Sequence, residues 1–213
     1  MPGNLNLFAY VRQSPIHYYD PAGKWSSQSR AMGRYQPVHQ QAIRNVLANQ
    51  VGPVALRILE NQQILIDENQ GNADQFMHAM TGAGQDRAQV INQANTFVKT
   101  KLEKAMASQQ AGRVEEAYRN LGDAIHTLQD ATSPSHRGFQ VWDDDASWTH
   151  KLGHVEAERK YPAEGSVEYR QIVGVTQWAY DIFTGKARMP ERFFEPQTGA
   201  LNLPTQYTIE VKE

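Results

Sequence analysis

Apolar residues recur at intervals of three and four along most of this chain, the spacing that gathers them on one face of an α-helix. From Pro37 onward that period places Val38, Ala42, Ile43 and Val46 together, followed by Val54, Leu56, Ile58 and Leu59. A third helix is predicted over Asp86 to Ser108. A fourth runs from Arg113 to Thr132, with Val114, Ala117, Leu121, Ile125 and Leu128 as its inward stripe, and Pro134 stops it. The stretch from Gly138 to Asp145 reads as loop and Ser147 to Lys160 as helix. A last helix, Val167 to Phe183, turns Ile172, Val175, Ala179 and Ile182 inward. Beyond Gly185 the tail contains prolines and one short predicted strand, Tyr207 to Val211. Residues 1–24 differ from all this: NLNLFAYV alternates like a strand, and SPIHYYDPAGK breaks with two prolines and a glycine. The prediction is a mainly α fold, a multi-helix bundle preceded by a short appendage.

Composition narrows the chemistry. At 213 residues, 40% of them hydrophobic, the chain can build one good core plus an appendage. Lys and Arg number 21 against 23 Asp and Glu, a net charge of −2, which speaks against a broad electrostatic grip on nucleic acid. A stable nucleic-acid partner is therefore not expected, although a nuclease activity stays open. With no cysteine there is no disulfide, no thiolate metal site and no cysteine nucleophile, so any metal must rest on histidine and carboxylate. No apolar run approaches a membrane span. The opening MPGNLNLFAY lacks the basic and apolar regions of a signal peptide, so export would need another route.

The histidines carry the most information. His126 and Asp130 stand four apart on the fourth helix and share a face; His136 follows six residues later, past the Pro134 break. His150 and His154 form a second i, i+4 pair. Either pair alone is common by chance and is most often solvated. The run HxxxDxxxxxHx13HxxxH is much less accidental, and two such pairs on neighbouring helices are how bundles build multi-metal sites. Imidazole with carboxylate and no thiolate suits zinc or a similar ion. HKLGH lacks the glutamate that follows the first histidine of a zincin, which counts against a protease.

The segment AYRNLGDAIHTLQDATSPSH resembles the signature of the bacterial zinc-dependent phospholipase C family, in which a helix ending in LHYLxD is followed by Pro-x-His; the S1/P1 nucleases share that fold and signature. His39 in PVHQQAIRNVL resembles the family's early histidine. Asp67 in ILIDENQ and His78 in QFMHAM resemble its Asp and His about a dozen residues apart, and His150 resembles the late histidine, at a spacing from His136 closer to the phospholipases. At His154 the family carries an acid; imidazole there still ligates zinc but removes a negative charge, which Glu158, a turn further on, is placed to supply. The likeness covers roughly residues 25 to 185. Separately, NLNLFAYVRQSPIHYYDPAG resembles the end of the Rhs repeat core, NLYxYVxNxPxxxxDPxG, which precedes the toxin tip of polymorphic toxins and often cuts itself just after the residue following DPxG. Here that residue is Lys24, where the family usually has Leu. The cut would expose Trp25, and the phospholipases begin with a Trp whose amine and carbonyl bind metal.

These resemblances imply two units: residues 1–24 as an Rhs tail with a cleavage site at Lys24–Trp25, and residues 25–213 as the toxin domain. They imply two or three Zn2+ ions. Asp67, His78, His126 and Asp130 would surround one, and His136, His150 and His154 a second. Trp25 and His39, with Asp130 bridging, would hold the third. Asp67 and Asp130 are the implied catalytic carboxylates; Asp67 or Asp74 orients the water, and Asp67 fits the family position better, Asp74 reading equally as an N-cap. Tyr35, Phe76, Phe139, Trp142 and Trp148 are candidates for a lipid headgroup cleft, with core packing expected for at least half of them. The expected activity is hydrolysis of phospholipid phosphodiesters at a membrane surface by a secreted bacterial effector. Its partners would be an immunity protein, the Rhs cage and a secretion apparatus. The alternatives are an S1/P1-like nuclease toxin and a non-catalytic domain with structural zinc.

Overall fold

The computed structural model describes residues 38–69, 71–142 and 161–208. Within them the helical periods become five α-helices: α1 Val38–Leu47, α2 Pro53–Asp67, α3 Arg87–Gln110, α4 Val114–Asp130 and α5 Val167–Phe183. Two 3₁₀ turns, Asn72–His78 and Thr205–Tyr207, and two two-residue strands, β1 Thr81–Gly82 and β2 Val141–Trp142, complete the described elements. The fold is mainly helical. Caps sit where short polar side chains can serve them: Asp86 accepts from the amides of Ala88 and Gln89 at the start of α3, and Ser166 accepts from that of Tyr169 at the start of α5. Pro53 opens α2, where its missing N–H has no helical acceptor to lose.

Helix α4 is the axis of the bundle. It packs against α2, α3, α5 and the Asn72–His78 turn, and every residue from Leu121 to Asp130 is buried. Leu121, Ile125 and Leu128 are fully enclosed, each contributing about 1.5–3 kcal/mol of apolar burial. Val114, expected on the inward stripe, is instead exposed, because residues 111–116 all face solvent and the covered part of α4 begins at Ala117. On α2 the inward row is Ala55, Leu59, Gln63 and Ile66, four and three apart, and Val54 faces solvent. The expected stripe there followed apolar identity and overlooked the polar Gln63. The predicted strand at Tyr207 begins instead as the end of a 3₁₀ turn, since the Tyr207 amide is drawn back to the Pro204 carbonyl; residues 209–211 lie outside the described residues. So do the predicted helix over 147–160 and the whole of residues 1–24.

Two features bring distant segments to the C-terminal end of α4. Strands β1 and β2 pair in parallel, Thr81 with Val141 and Gly82 with Trp142, so the chain leaving the Asn72–His78 turn lies beside the chain leaving the loop after α4. Gly122 lets α2 lie close: a Cβ there would stand 2.8 Å from Gln62 Cβ and 2.9 Å from Gln62 Cγ. Gly122→Ala should therefore push α2 off α4 and destabilise the fold by about 1–3 kcal/mol. Chemical denaturation checks this; an unchanged midpoint would mean that the two helices tolerate separation.

Candidate metal centre

The last two turns of α4 put five polar side chains, Asp123, His126, Thr127, Gln129 and Asp130, into the protein interior. Helical spacing stacks His126 over Asp130, and their Nε2 and Oδ2 atoms lie 3.0 Å apart. Three other segments converge on this pair. From the second residue of α1, His39 Nε2 reaches Asp130 Oδ1 at 3.0 Å. His78, the last residue of its 3₁₀ turn, brings Nδ1 to 3.3 Å from Asp130 Oδ2 and 3.1 Å from His126 Nε2. Asp67, the last residue of α2, places Oδ1 3.3 Å from His126 Nε2. Left-handed backbone at Ala79 (φ 50) reverses the chain immediately after His78 and fixes where that turn ends.

His136 lies in the tight turn that follows Pro134, where its Nδ1 donates to the carbonyl of His78, so the two segments tied by β1 and β2 also meet here. The turn leaves through two successive left-handed residues, Gly138 (φ 79) and Phe139 (φ 59). Phe139 is fully buried edge-on to Phe194, their ring centroids 5.1 Å apart. Asp130, His78, His126 and His136 are buried, while the side chains of His39 and Asp67 keep 15% and 12% of their surface exposed and mark the open side of the cluster.

His78 Nδ1, His126 Nε2 and Asp130 Oδ2 form a triangle with sides of 3.0–3.3 Å. Ligand atoms about 2.0–2.1 Å from a tetrahedral ion are about 3.3 Å from one another, so the three donors have the dimensions of one face of a zinc site. His39, Asp67 and His126 form a second group whose donor atoms lie within 4.8 Å of one another. The two groups share His126 Nε2, which has one lone pair, so each ion would need ligands beyond it. The buried His and Asp side chains can bind a metal ion.

Protonation of the metal-free cluster follows from the same contacts. Burial opposes a charge on His39, but the charge and hydrogen bond of Asp130, with the charge of Asp67, outweigh it and raise its pKa from 6.5 to about 9. Burial likewise opposes protonation of His78, and the hydrogen bond and charge of Asp130 overcome it, raising its pKa. For His126, burial prevails with help from the charges of His39 and His78, and its pKa falls to about 3. Burial would raise Asp130, yet the charges of His126, His39 and His136 hold it well below 3.8. Protons on His39 and His78 thus occupy the inward nitrogens that a metal would take.

Of the residues expected from sequence, the structure brings together His39, Asp67, His78, His126, Asp130 and His136. Trp25, Lys24, His150, His154 and Glu158 lie outside the described residues, as do Tyr35 and Trp148. Asp74 is not an N-cap: Gly71 holds that position, and the Asp74 carboxylate folds back over it. Phe139 and Trp142 are buried in the interior and Phe76 packs edge-on against Phe97, so these three aromatics serve packing. Sequence reading missed the residues that hold the outer histidine nitrogens: Gln129 Oε1, 2.9 Å from His39 Nδ1; Gln63 Oε1, 3.2 Å from His126 Nδ1; and the Asn69 carbonyl, 3.0 Å from His78 Nε2. A glutamine on the buried row of an amphipathic helix was the available signal for Gln63. Comparison with protein-family models, with curated proteins and with solved structures gives no match to this chain.

The shifts set the pH response of the chelated protein. His39 and His78, raised in the fold, add stability that is full below 6.5 and is lost as pH rises, for His39 through about 9. His126, lowered, costs stability as pH falls from 6.5 towards about 3, and the contribution of Asp130 is lost in acid below its ordinary 3.8. Thermal unfolding in chelator should therefore show a maximum near pH 6.5. A stability that climbs steadily from pH 6.5 to 9 would contradict the assignment.

Proposed function

We propose that the chain is a zinc-dependent phosphodiester hydrolase of the phospholipase C type, the toxin domain of an Rhs polymorphic toxin. The observation that carries the metal reading is the triangle of His78 Nδ1, His126 Nε2 and Asp130 Oδ2, with the second oxygen of Asp130 turned to His39. Structural zinc sites are closed by four ligands. Six His and Asp side chains gathered here, two of them partly exposed, speak for a catalytic centre over a structural one.

Zinc, when bound, supplies a Lewis acid for the phosphate and lowers the pKa of water towards neutrality. Asp130 would hold the metal together with His78 and His126 through one carboxylate oxygen, and its other oxygen is turned to His39. Asp67, on the open side, orients the attacking water and takes one of its protons on the carboxylate. Water oxygen adds to phosphorus, the bond from phosphorus to the glycerol oxygen breaks, and that oxygen takes its proton from solvent. The net charge of −2 favours a lipid phosphodiester over a polyanionic nucleic acid, and the delivery, immunity partner and target-cell destination follow from the Rhs resemblance of residues 1–24.

The purified chain should carry two or three zinc ions by elemental analysis, and one or fewer would overturn the multinuclear reading. Asp130→Ala and His126→Ala should each reduce hydrolysis of phosphatidylcholine or phosphatidylethanolamine vesicles to background while the far-ultraviolet helical signal persists. Near-normal turnover of Asp130→Ala in excess zinc would reject the centre. Cleavage of single-stranded DNA in place of lipid would move the activity to the nuclease alternative.

A further inference from the structure

A histidine can offer a metal only the ring nitrogen that lacks a proton, so an imidazole centre works only if something decides which nitrogen that is. At His126 and His39 the deciding groups are side-chain amides, which can face either way: the oxygen requires an N–H opposite it, while the NH2 requires a bare nitrogen. What lies behind each amide settles the question. Gln63 Nε2 lies 3.0 Å from the Gly122 carbonyl and 3.3 Å from that of Leu59, two groups that can only accept, so the NH2 must face them and Oε1 must face His126. Gln129 Nε2 lies 2.8 Å from Thr176 Oγ1, and the Thr176 hydroxyl spends its own proton on the Ile172 carbonyl at 2.7 Å. Thr176 is therefore an acceptor towards Gln129, and Gln129 Oε1 must accept from His39 Nδ1.

We propose that Gln63 and Gln129 are positioning residues that write the tautomer of the centre, each pinning an Nδ1–H so that Nε2 is the nitrogen left for a metal, already bare on His126 and, on His39, the one whose proton the metal displaces. Thr176, acting through Gln129, extends this control to α5. The proposal rests on the metal reading above and adds to it residues outside the expected ligand set. Both glutamines are enclosed, at 1% exposure each, and Thr176 is fully buried, so water cannot substitute for any link. The two relays end on backbone carbonyls of α2, α4 and α5, which makes the direction of the ligands a consequence of helix packing. The acceptors are neutral, so they orient the imidazoles without adding negative charge around the ions.

Zinc affinity measured by competition with a chromophoric chelator, together with ¹⁵N shifts of the imidazole nitrogens, tests this. Gln129→Met and Gln63→Met should each weaken zinc binding by about 10–100-fold, and Thr176→Val, nearly the same shape, should weaken it in the same direction. Gln129→Glu, which can only accept, should stay within a few-fold of the wild type, whereas a merely structural role would make this buried carboxylate the most damaging change. In the metal-free protein at neutral pH the His126 proton should sit on Nδ1, and in Gln63→Met it should move to Nε2. Zinc affinities of both Met variants within twofold of a zinc-binding wild type, or an unchanged His126 tautomer in Gln63→Met, would overturn the proposal and leave the metal reading standing. A wild type that binds no zinc would reject the metal reading itself, and the tautomer measurement would still decide the role of Gln63.

Discussion

The Asp130 carboxylate is the point on which the rest of the structure depends. An ionised carboxylate that is 4% exposed can stay ionised only if positive or hydrogen-bonding groups surround it. Here the imidazoles of His39, from α1, and His78, from the turn after α2, do so directly, and His126 of the same helix lies beside them. Satisfying one buried charge therefore requires two other segments, α1 and the turn after α2, to converge on the end of α4. The same requirement explains why the apolar packing of the bundle gives way there to a polar interior.

That interior is kept in order by links that reach well beyond the cluster. The Thr127 hydroxyl donates to the Met77 carbonyl and so ties α4 to the residue before His78. Lys101 on α3 and Gln62 on α2 share the carboxylate of Asp123, one turn before His126. Each is a buried or half-buried polar group with a partner, which is the condition for placing it inside at all. A network of this kind costs stability relative to an apolar core, and its value lies in holding specific geometry.

The C-terminal chain contributes to the same geometry from outside the bundle. Asn95 on α3 accepts from the amides of Phe193 and Phe194 and donates to the Phe194 carbonyl, stitching the chain after α5 onto the helix. Arg87 donates to the carbonyls of Gly138 and Thr198 and so clamps that chain to the loop carrying His136. Left-handed backbone at Phe139, which costs about 1–2 kcal/mol for a non-glycine residue, is maintained by its burial against Phe194 and by Gly199. At Gly199 a Cβ would come 2.8 Å from the Phe139 ring. The loop that holds His136 is thus braced by residues about sixty positions away in sequence.

Periodicity by itself determined the helical class, the bounds of α5 and, within two residues, those of α3 and α4, because each of these helices presents a long apolar row to its neighbours. The pairing of His126 with Asp130 was equally legible, since a four-residue step on a helix fixes proximity without reference to anything else. No local spacing in the sequence brings His39, Asp67 and His78 to that pair; the family resemblance implied it, and the docking of α1, α2 and a 3₁₀ turn against α4 brings it about. Tertiary structure also decided the roles of Gln63, Gln129 and Thr176, which in the sequence are ordinary polar residues at helical positions. The helical period can mark a glutamine as inward-facing, as it does Gln63, but nothing local says that an imidazole lies opposite it. Its role is set by the carbonyl or hydroxyl behind it, and that neighbour is supplied by another helix or another turn only once the bundle has closed.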